Sequence, residues 1–338
     1  MKFGIIPNWS WPVDGSPRTQ MERTVEQARL AIECDYDAVW FGQHYISEGN
    51  NHFQPLPLFS RVAEFAGETD LGTSIFLLPL HNPIAVAENF ATADALFDGE
   101  TVFGVAIGYK PEEFDAFGID VDDRVGRFVE GVQLLRRLWT EDDVTWSGQY
   151  FEVENVTIDP KPNDGEGIPF WIGGNAETSV ERAGRLGDGW IISARTTYDE
   201  AVRLSEVYRA AAAASDRPDE GIAINREVYV ADTTEEAVET VMPMMKERAA
   251  KWLDRGARDT AEQIDDLDEQ VYEMLEDRIV GSPEECIERI ETFHEDVGVD
   301  HLIAMYNWRR LSQERTLDSI ERFADDVVPY FRDEVSDL

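Results

Sequence analysis

The chain has 338 residues, 43% of them hydrophobic, and its 69 acidic against 30 basic side chains give a net charge of −39. That field argues against nucleic acid and anionic membrane surfaces as partners, and no run of about eighteen apolar residues offers a membrane span. The two cysteines, Cys34 and Cys286, lie far apart in sequence, and read as buried free thiols in a reducing cytoplasm, not as a metal site.

Only five of the basic residues are lysines, Lys2, Lys110, Lys161, Lys246 and Lys251. Such a charge destabilises a compact chain through self-repulsion in ordinary cytoplasm. In molar salt the Debye length falls to about 3 Å and the repulsion is largely screened. The acidic residues sit on segments that keep an apolar face, which excludes disorder as the explanation. The expectation is a protein of a salt-rich cytoplasm, as in halophilic organisms. Met1 to Pro7 shows no charged segment followed by an apolar one, so no signal peptide is expected.

In chain order, Lys2 to Pro7 reads as a first strand, followed by a polar loop from Asn8 to Pro17. Met21, Val25, Ala28 and Ile32 then mark one face of a helix. Ala38–Phe41 is a second strand leading into Gly42-Gln43-His44-Tyr45, and a long loop containing His52 runs to about Pro57. A helix with Phe59, Val62 and Phe65 precedes a third strand expected over Leu71–Leu78. Asn82-Pro83 starts the next helix, an N-cap with proline at its first position, and the helix is expected to reach Phe97. Val102–Ile107 is a fourth strand, apolar throughout as suits burial on both faces, and breaks at Gly108 into a polar loop. Phe128, Val132, Leu135 and Trp139 mark the helix that follows.

Residues 140–168 interrupt this rhythm. Val144 to Val153 reads as a hairpin turning at Ser147-Gly148, and Pro160 to Gly167 as loop. Pro169–Gly173 is strand five, Gly189–Ile192 strand six and Ala223–Val230 strand seven. Residues 234–280 are helical, acidic and longer than one crossover needs, so a helical insertion is expected there. Ser282-Pro283-Glu284-Glu285 is a capping box. His301–Tyr306 is strand eight, and a last helix covers about Glu314 to Tyr330. Eight strands alternating with helices, without a repeated half or a linker, predict a single α/β domain over 1–338. Its fold is a (β/α)8 TIM barrel with a β-hairpin insertion before strand 5 and a helical insertion after strand 7. A doubly wound sheet is the alternative, weakened because Pro7-Asn8-Trp9 stands where a glycine-rich dinucleotide turn belongs.

In such a barrel the C-terminal ends of the strands face one another around the mouth. They bring there Asn8 and Trp9, Gln43 and His44, Pro79 to His81, Gly108 and Tyr109, Gly174 and Asn175, Ser193 to Thr196, and Asn307 and Trp308. His44 is the acid–base candidate among them. His52 is open between a ligand-facing and a structural place; His81, His294 and His301 read as structural. Gly173-Gly174-Asn175-Ala176 before a helix reads either as an anion site built from backbone N–H groups or as a tight turn with an asparagine cap. No set of carboxylates and histidines has metal-ligand spacing.

These segments carry a resemblance over nearly the whole chain. Val39-Trp-Phe-Gly-Gln-His-Tyr, Leu71 to Pro79 with His81-Asn-Pro, Phe103 to Tyr109 with Glu113-Phe114 and Phe117-Gly118, Pro169 to Asn175, and Arg185 to Trp190 together resemble the bacterial luciferase-like superfamily. The resemblance implies reduced FMN or the deazaflavin F420 lying across the barrel mouth. It implies that Ser74 and Ile75 form a bulge, often with a cis peptide in relatives, behind the coenzyme ring. Gly174, Asn175 and Ala176 match the phosphate-binding turn, and Gly173, Gly108 and Tyr109 are expected beside them as cofactor-binding residues. His44 matches the histidine that acts as proton donor or acceptor beside the reacting atom.

The chain departs from luciferase in two places. Luciferase has Glu-His-His at Gln43-His44-Tyr45 and a phosphate-binding arginine at Ile107. The cofactor therefore stays open between FMN and F420. The implied activity is an oxidoreductase, with a reduced-FMN monooxygenase acting with oxygen on a small organic substrate placed first. An F420-dependent hydride transfer is the alternative, and a non-catalytic flavin-binding protein the reading of another class. A homodimer through the helices beside strands two and three is expected, with a separate flavin or F420 reductase as a possible partner.

Overall fold

The computed structural model describes residues 1–334 apart from 216, 218, 255–273 and 309. Eight parallel strands form a closed barrel, β1 (Lys2–Ile6), β3 (Ala38–Phe41), β5 (Asp70–Thr73), β7 (Thr101–Ala106), β10 (Phe170–Gly173), β11 (Gly189–Ile192), β12 (Ile222–Val230) and β14 (His301–Met305). Closure is made where the first and last barrel strands meet, with Lys2 opposite His301 and Ile6 opposite Met305. The predicted TIM barrel is what forms.

Five short strands besides β13 complete the β structure among the described residues. β2 (Ser10–Pro12) pairs antiparallel with β4 (Asn50–His52), so two segments expected as free loops form a ribbon at the mouth. β6 (Phe76–Leu77) pairs with the end of β7. β8 (Val144–Ser147) and β9 (Glu152–Val156) are the expected hairpin, with its turn at 148–151. β13 (Ile279–Gly281), unforeseen in the sequence, extends the far end of β12.

The helices among the described residues are α1 (Pro17–Glu33), α2 (Pro55–Ala66), α3 (Pro83–Asp94), α4 (Pro111–Phe117), α5 (Arg124–Thr140), α6 (Glu177–Leu186), α7 (Tyr198–Ala213), α8 (Thr234–Asp254), α9 (Pro283–Thr292), α10 (Gln313–Arg322) and, after a π turn at Phe323–Val327, α11 (Val328–Glu334). Their apolar stripes are the periodic ones: Phe128, Val132, Leu135 and Trp139 of α5 are all buried. Asn82 Oδ1 caps α3 by accepting from Ile84 N at 2.9 Å, and Thr197 and Glu200 form a capping box on α7. Between the strands and their covering helices, Phe90, Phe103, Trp139 and Phe170 form a chain of rings 4.3–5.7 Å apart.

Several expectations are corrected. The third strand does not run unbroken to Leu78: it stops at Thr73, a cis peptide joins Ser74 to Ile75, and a 3₁₀ turn takes Leu78–Leu80. α3 ends at Asp94, three residues before Phe97. The loop after Gly108 contains α4, which begins at Pro111 where the fixed φ of proline suits a first helical residue. Of the helical insertion after strand seven, α8 is seen, and residues 255–273 lie outside the described residues. Cys34 and Cys286 are free thiols, as expected, but only Cys286 is buried; Cys34 is half-buried. Among the described residues no helix is long and apolar enough to cross a membrane.

Candidate active site

His44 follows β3 by three residues, at the C-terminal mouth of the barrel. Its Nδ1 lies 3.0 Å from Glu113 Oε1, and the Tyr45 backbone N–H donates to the same oxygen at 2.8 Å. Glu113 stands in the first turn of α4 and its side chain is only 1% exposed, against 23% for His44. Burial raises the carboxyl's pKa, but the hydrogen bonds from His44 and Tyr45 and the charges of His44 and Lys110 outweigh it and hold the group below the ordinary carboxylate range. An ionised carboxylate only accepts, so His44 Nδ1 carries the proton, and in the neutral ring Nε2 is the acceptor.

Aromatic rings wall this pair. Trp9, following β1, stacks at 6.2 Å on His44, and Tyr109 stands edge-on to it at 5.9 Å. His52, on the β4 ribbon, lies 5.9 Å from His44 and accepts or donates at Nε2 with Ser10 Oγ at 3.1 Å. The loop histidine left open by the sequence thus belongs to the wall around His44. Tyr109 is 55% exposed at the rim, with Lys110 Nζ at 5.9 Å and Arg195 Cζ at 5.6 Å from its ring. Gly108, just before it, has φ +76°, a conformation costly for any side chain, and a Cβ there would meet the Phe114 ring at 3.1 Å.

The barrel end beside this pair is built from the Ser74–Ile75 step. Ser74 Oγ donates to Asn225 Oδ1 at 3.1 Å, and Gln43 N donates to Ile75 O at 3.1 Å. Gly173, at the end of β10, lies so close that a Cβ would be 2.0 Å from Ile75 Cδ1. The turn Gly174–Ala176 then leads into α6. Trp190 Nε1 fixes it from below by donating to Gly174 O at 2.9 Å. The cap is Ala176, not Asn175, which is exposed; Ser179 Oγ closes the Ala176 N–H at 3.1 Å. The N–H groups of Glu177 and Thr178 precede the first intrahelical bonds, made by Ser179 and Val180 to Ala176 O, and lie at the positive end of the α6 dipole.

His44, Ser74, Ile75, Gly108, Tyr109 and Gly173–Ala176 stand at or just after the C-terminal ends of barrel strands. His44 with Tyr109, and Ile75 with Gly173, are in direct contact; Gly174–Ala176 forms the adjoining turn. Trp308 does not join them: it is buried and donates Nε1 to Val228 O at 2.7 Å. His81 is structural, as expected, bonded to Gln43 Oε1 at 3.2 Å, and burial pulls its pKa down to about 4. The contacts of Glu113 with His44 and of Asn225 with Ser74 were not foreseen in the sequence. Nothing local links position 44 to 113; the one hint was a glutamate beside Phe114 in an otherwise motif-like stretch.

With this geometry in hand, comparison with known proteins decides the family. The description "Luciferase-like monooxygenase" matches residues 1–301. The chain belongs to that family. It is 28% identical to the F420-dependent glucose-6-phosphate dehydrogenase of Amycolatopsis mediterranei, over 91% of this chain and 94% of that one. It is 26% identical to 4-hydroxyprotoasukamycin monooxygenase of Streptomyces nodosus subsp. asukaensis, covering 98% and 92%. Among solved structures, monooxygenase RslO1 from Streptomyces bottropensis superimposes with a TM-score of 0.85 at 25% identity, over 98% and 100% of the two chains. This luciferase-like protein is an oxidoreductase enzyme.

The donor set fits a coenzyme of the isoalloxazine type. Glu113 Oε2 is a buried acceptor without a partner, the α6 turn offers backbone donors, and the bare Gly173 leaves a face that a side chain would fill. Among the described residues no cluster could hold a metal ion.

Proposed function

We propose that the protein is an F420-dependent oxidoreductase that removes hydride from a small alcohol-type substrate, with His44 as general base. The observation that carries this reading is the buried, ionised Glu113 behind His44. It fixes the imidazole tautomer and stabilises the imidazolium that forms when Nε2 takes a hydroxyl proton. The coenzyme supplies the hydride chemistry when bound. Gly174–Ala176 and the α6 N-terminus hold its phosphate, Ser74, Ile75 and Gly173 support the ring, and Gly108 and Tyr109 form the rim. Trp9, Tyr109 and the β2–β4 ribbon exclude water from His44. Ile107, where luciferase has its phosphate-binding arginine, favours F420 over FMN, and so does the likeness to an F420-dependent dehydrogenase across 91% of the chain.

A second reading, a reduced-FMN monooxygenase, is favoured by the full-length superposition on RslO1. Fluorescence titration in molar potassium chloride, with F420 and with oxidised and reduced FMN, separates the two. Tight F420 and weak FMN binding supports hydride transfer; a preference for reduced FMN supports oxygen chemistry and rejects the first reading. Binding of neither rejects both.

The acidic composition supports a salt-adapted protein, and the resemblance supports a homodimer through α2 and α3. Light scattering in molar salt tests the latter, and a monomer mass would refute it.

A further inference from the structure

Neighbouring residues of a strand point to opposite sides, and in β12 two such neighbours both engage the end of β11. Asn225 donates Nδ2 to Ile192 O at 3.3 Å while its Oδ1 receives Ser74 Oγ. Arg226 donates Nη1 to Ser193 O at 3.2 Å and to Asn225 O at 2.9 Å, and Nη2 to Thr196 O at 2.9 Å. Its guanidinium is wholly buried, with Cζ 4.6 Å from the Phe293 ring. Burial lowers its pKa to about 10, so it remains charged at neutral pH.

A buried arginine is costly, and barrel packing does not require one; apolar replacements of buried charges are often neutral or stabilising. What the guanidinium does that an apolar side chain cannot is span two carbonyls of one turn with a rigid planar fork. That turn carries Arg195, whose guanidinium lies 5.6 Å from the Tyr109 ring, which in turn stands 5.9 Å from His44.

We propose that Arg226 is a positioning residue of the active site, fixing the Ser193–Thr196 turn and, through Arg195 and Tyr109, the width of the mouth opposite His44. The functional part of this inference rests on the reading that a coenzyme lies across the mouth; the structural part does not.

Hydrogen–deuterium exchange of the full-length protein, followed over residues 193–197, reads the turn without any ligand. Arg226→Met should raise exchange there by about tenfold or more while the global unfolding midpoint holds. Arg226→Lys should behave nearly as Arg226→Met, because one ammonium cannot serve both carbonyls. Affinity for whichever of F420 or FMN the wild type binds should fall about tenfold in both. Unchanged exchange in a folded variant overturns the proposal. Should both variants fail to fold, Arg195→Ala decides: coenzyme affinity should fall while exchange of the turn stays as in wild type, and unchanged affinity overturns the relay. A wild type that binds neither coenzyme defeats the proposed function, whereas the exchange result still decides whether Arg226 holds the turn.

Discussion

His44 Nδ1 and Glu113 Oε1 lie 3.0 Å apart although 69 positions separate them in the chain. One comes from the end of β3 and the other from the first turn of α4, so only closure of the barrel joins them. A carboxylate this deeply buried is stable as an anion because His44, the Tyr45 N–H and nearby Lys110 all face it.

The pair predicts a graded loss of activity. His44→Asn should lower turnover about 10²- to 10⁴-fold, the range of a general acid–base group. Glu113→Gln should cost about 10²-fold, because the amide can present an N–H to Nδ1 and favour the wrong tautomer. Coenzyme affinity, measured by fluorescence, should change little in either. Unchanged turnover in His44→Asn would remove the histidine from the mechanism.

Glu113 also gives a pH signature. Its folded-state pKa lies below the unfolded value near 4.5, so the unfolded chain binds the proton first on acidification. The stability it contributes is fully present above about pH 4.5 and is lost as pH falls through the folded value. The difference in melting temperature between wild type and Glu113→Gln should therefore hold constant from neutral pH down to about 4.5 and shrink only below it.

His301 works in a higher window. Burial, with smaller contributions from Lys2 and the N-terminus, lowers its pKa to about 4, and its ring packs 4.7 Å from Trp171. The unfolded chain takes up this proton near pH 6.5 and the folded chain only near 4, so folding weakens as pH falls between them. His301→Gln should flatten the fall of melting temperature from pH 6.5 to 4. An equally steep fall would show that the ring titrates freely in the fold.

Gly173→Ala should fold, because the clash at 2.0 Å is with the far end of Ile75, a flexible side chain. Ile75 must then shift where the coenzyme ring is supported. About tenfold weaker coenzyme binding with a melting temperature near wild type is expected. Full affinity would place the ring elsewhere.

Glu130 ties the β8–β9 hairpin to α5: its carboxylate accepts from Trp146 Nε1 and from the N–H groups of Gln149, Tyr150 and Phe151, at 2.8–3.0 Å. Glu130→Leu strands three backbone donors, and a loss of about 2–4 kcal/mol in denaturant unfolding is expected. A loss below about 0.5 kcal/mol would mean that water replaces the carboxylate without cost.

The sequence by itself determined the barrel and the outline of its mouth. Strands buried on both faces read as short apolar runs, helices as stripes such as Phe128 to Trp139, and caps such as Asn82-Pro83 as local chemistry; each is set by neighbours within about four residues. The same periodicity placed His44 and the Gly173–Ala176 turn at strand ends. Tertiary structure decided the rest, because hydrogen bonds between distant segments leave no periodic trace. It broke the third strand at Ser74, where Asn225 and Gly173 close in, and paired Ser10–Pro12 with Asn50–His52. It also set Glu113 behind His44 and sent Arg226 under a turn thirty residues earlier. Those partners stand far apart along the chain and share no local pattern, so their chemistry exists only once the barrel has closed.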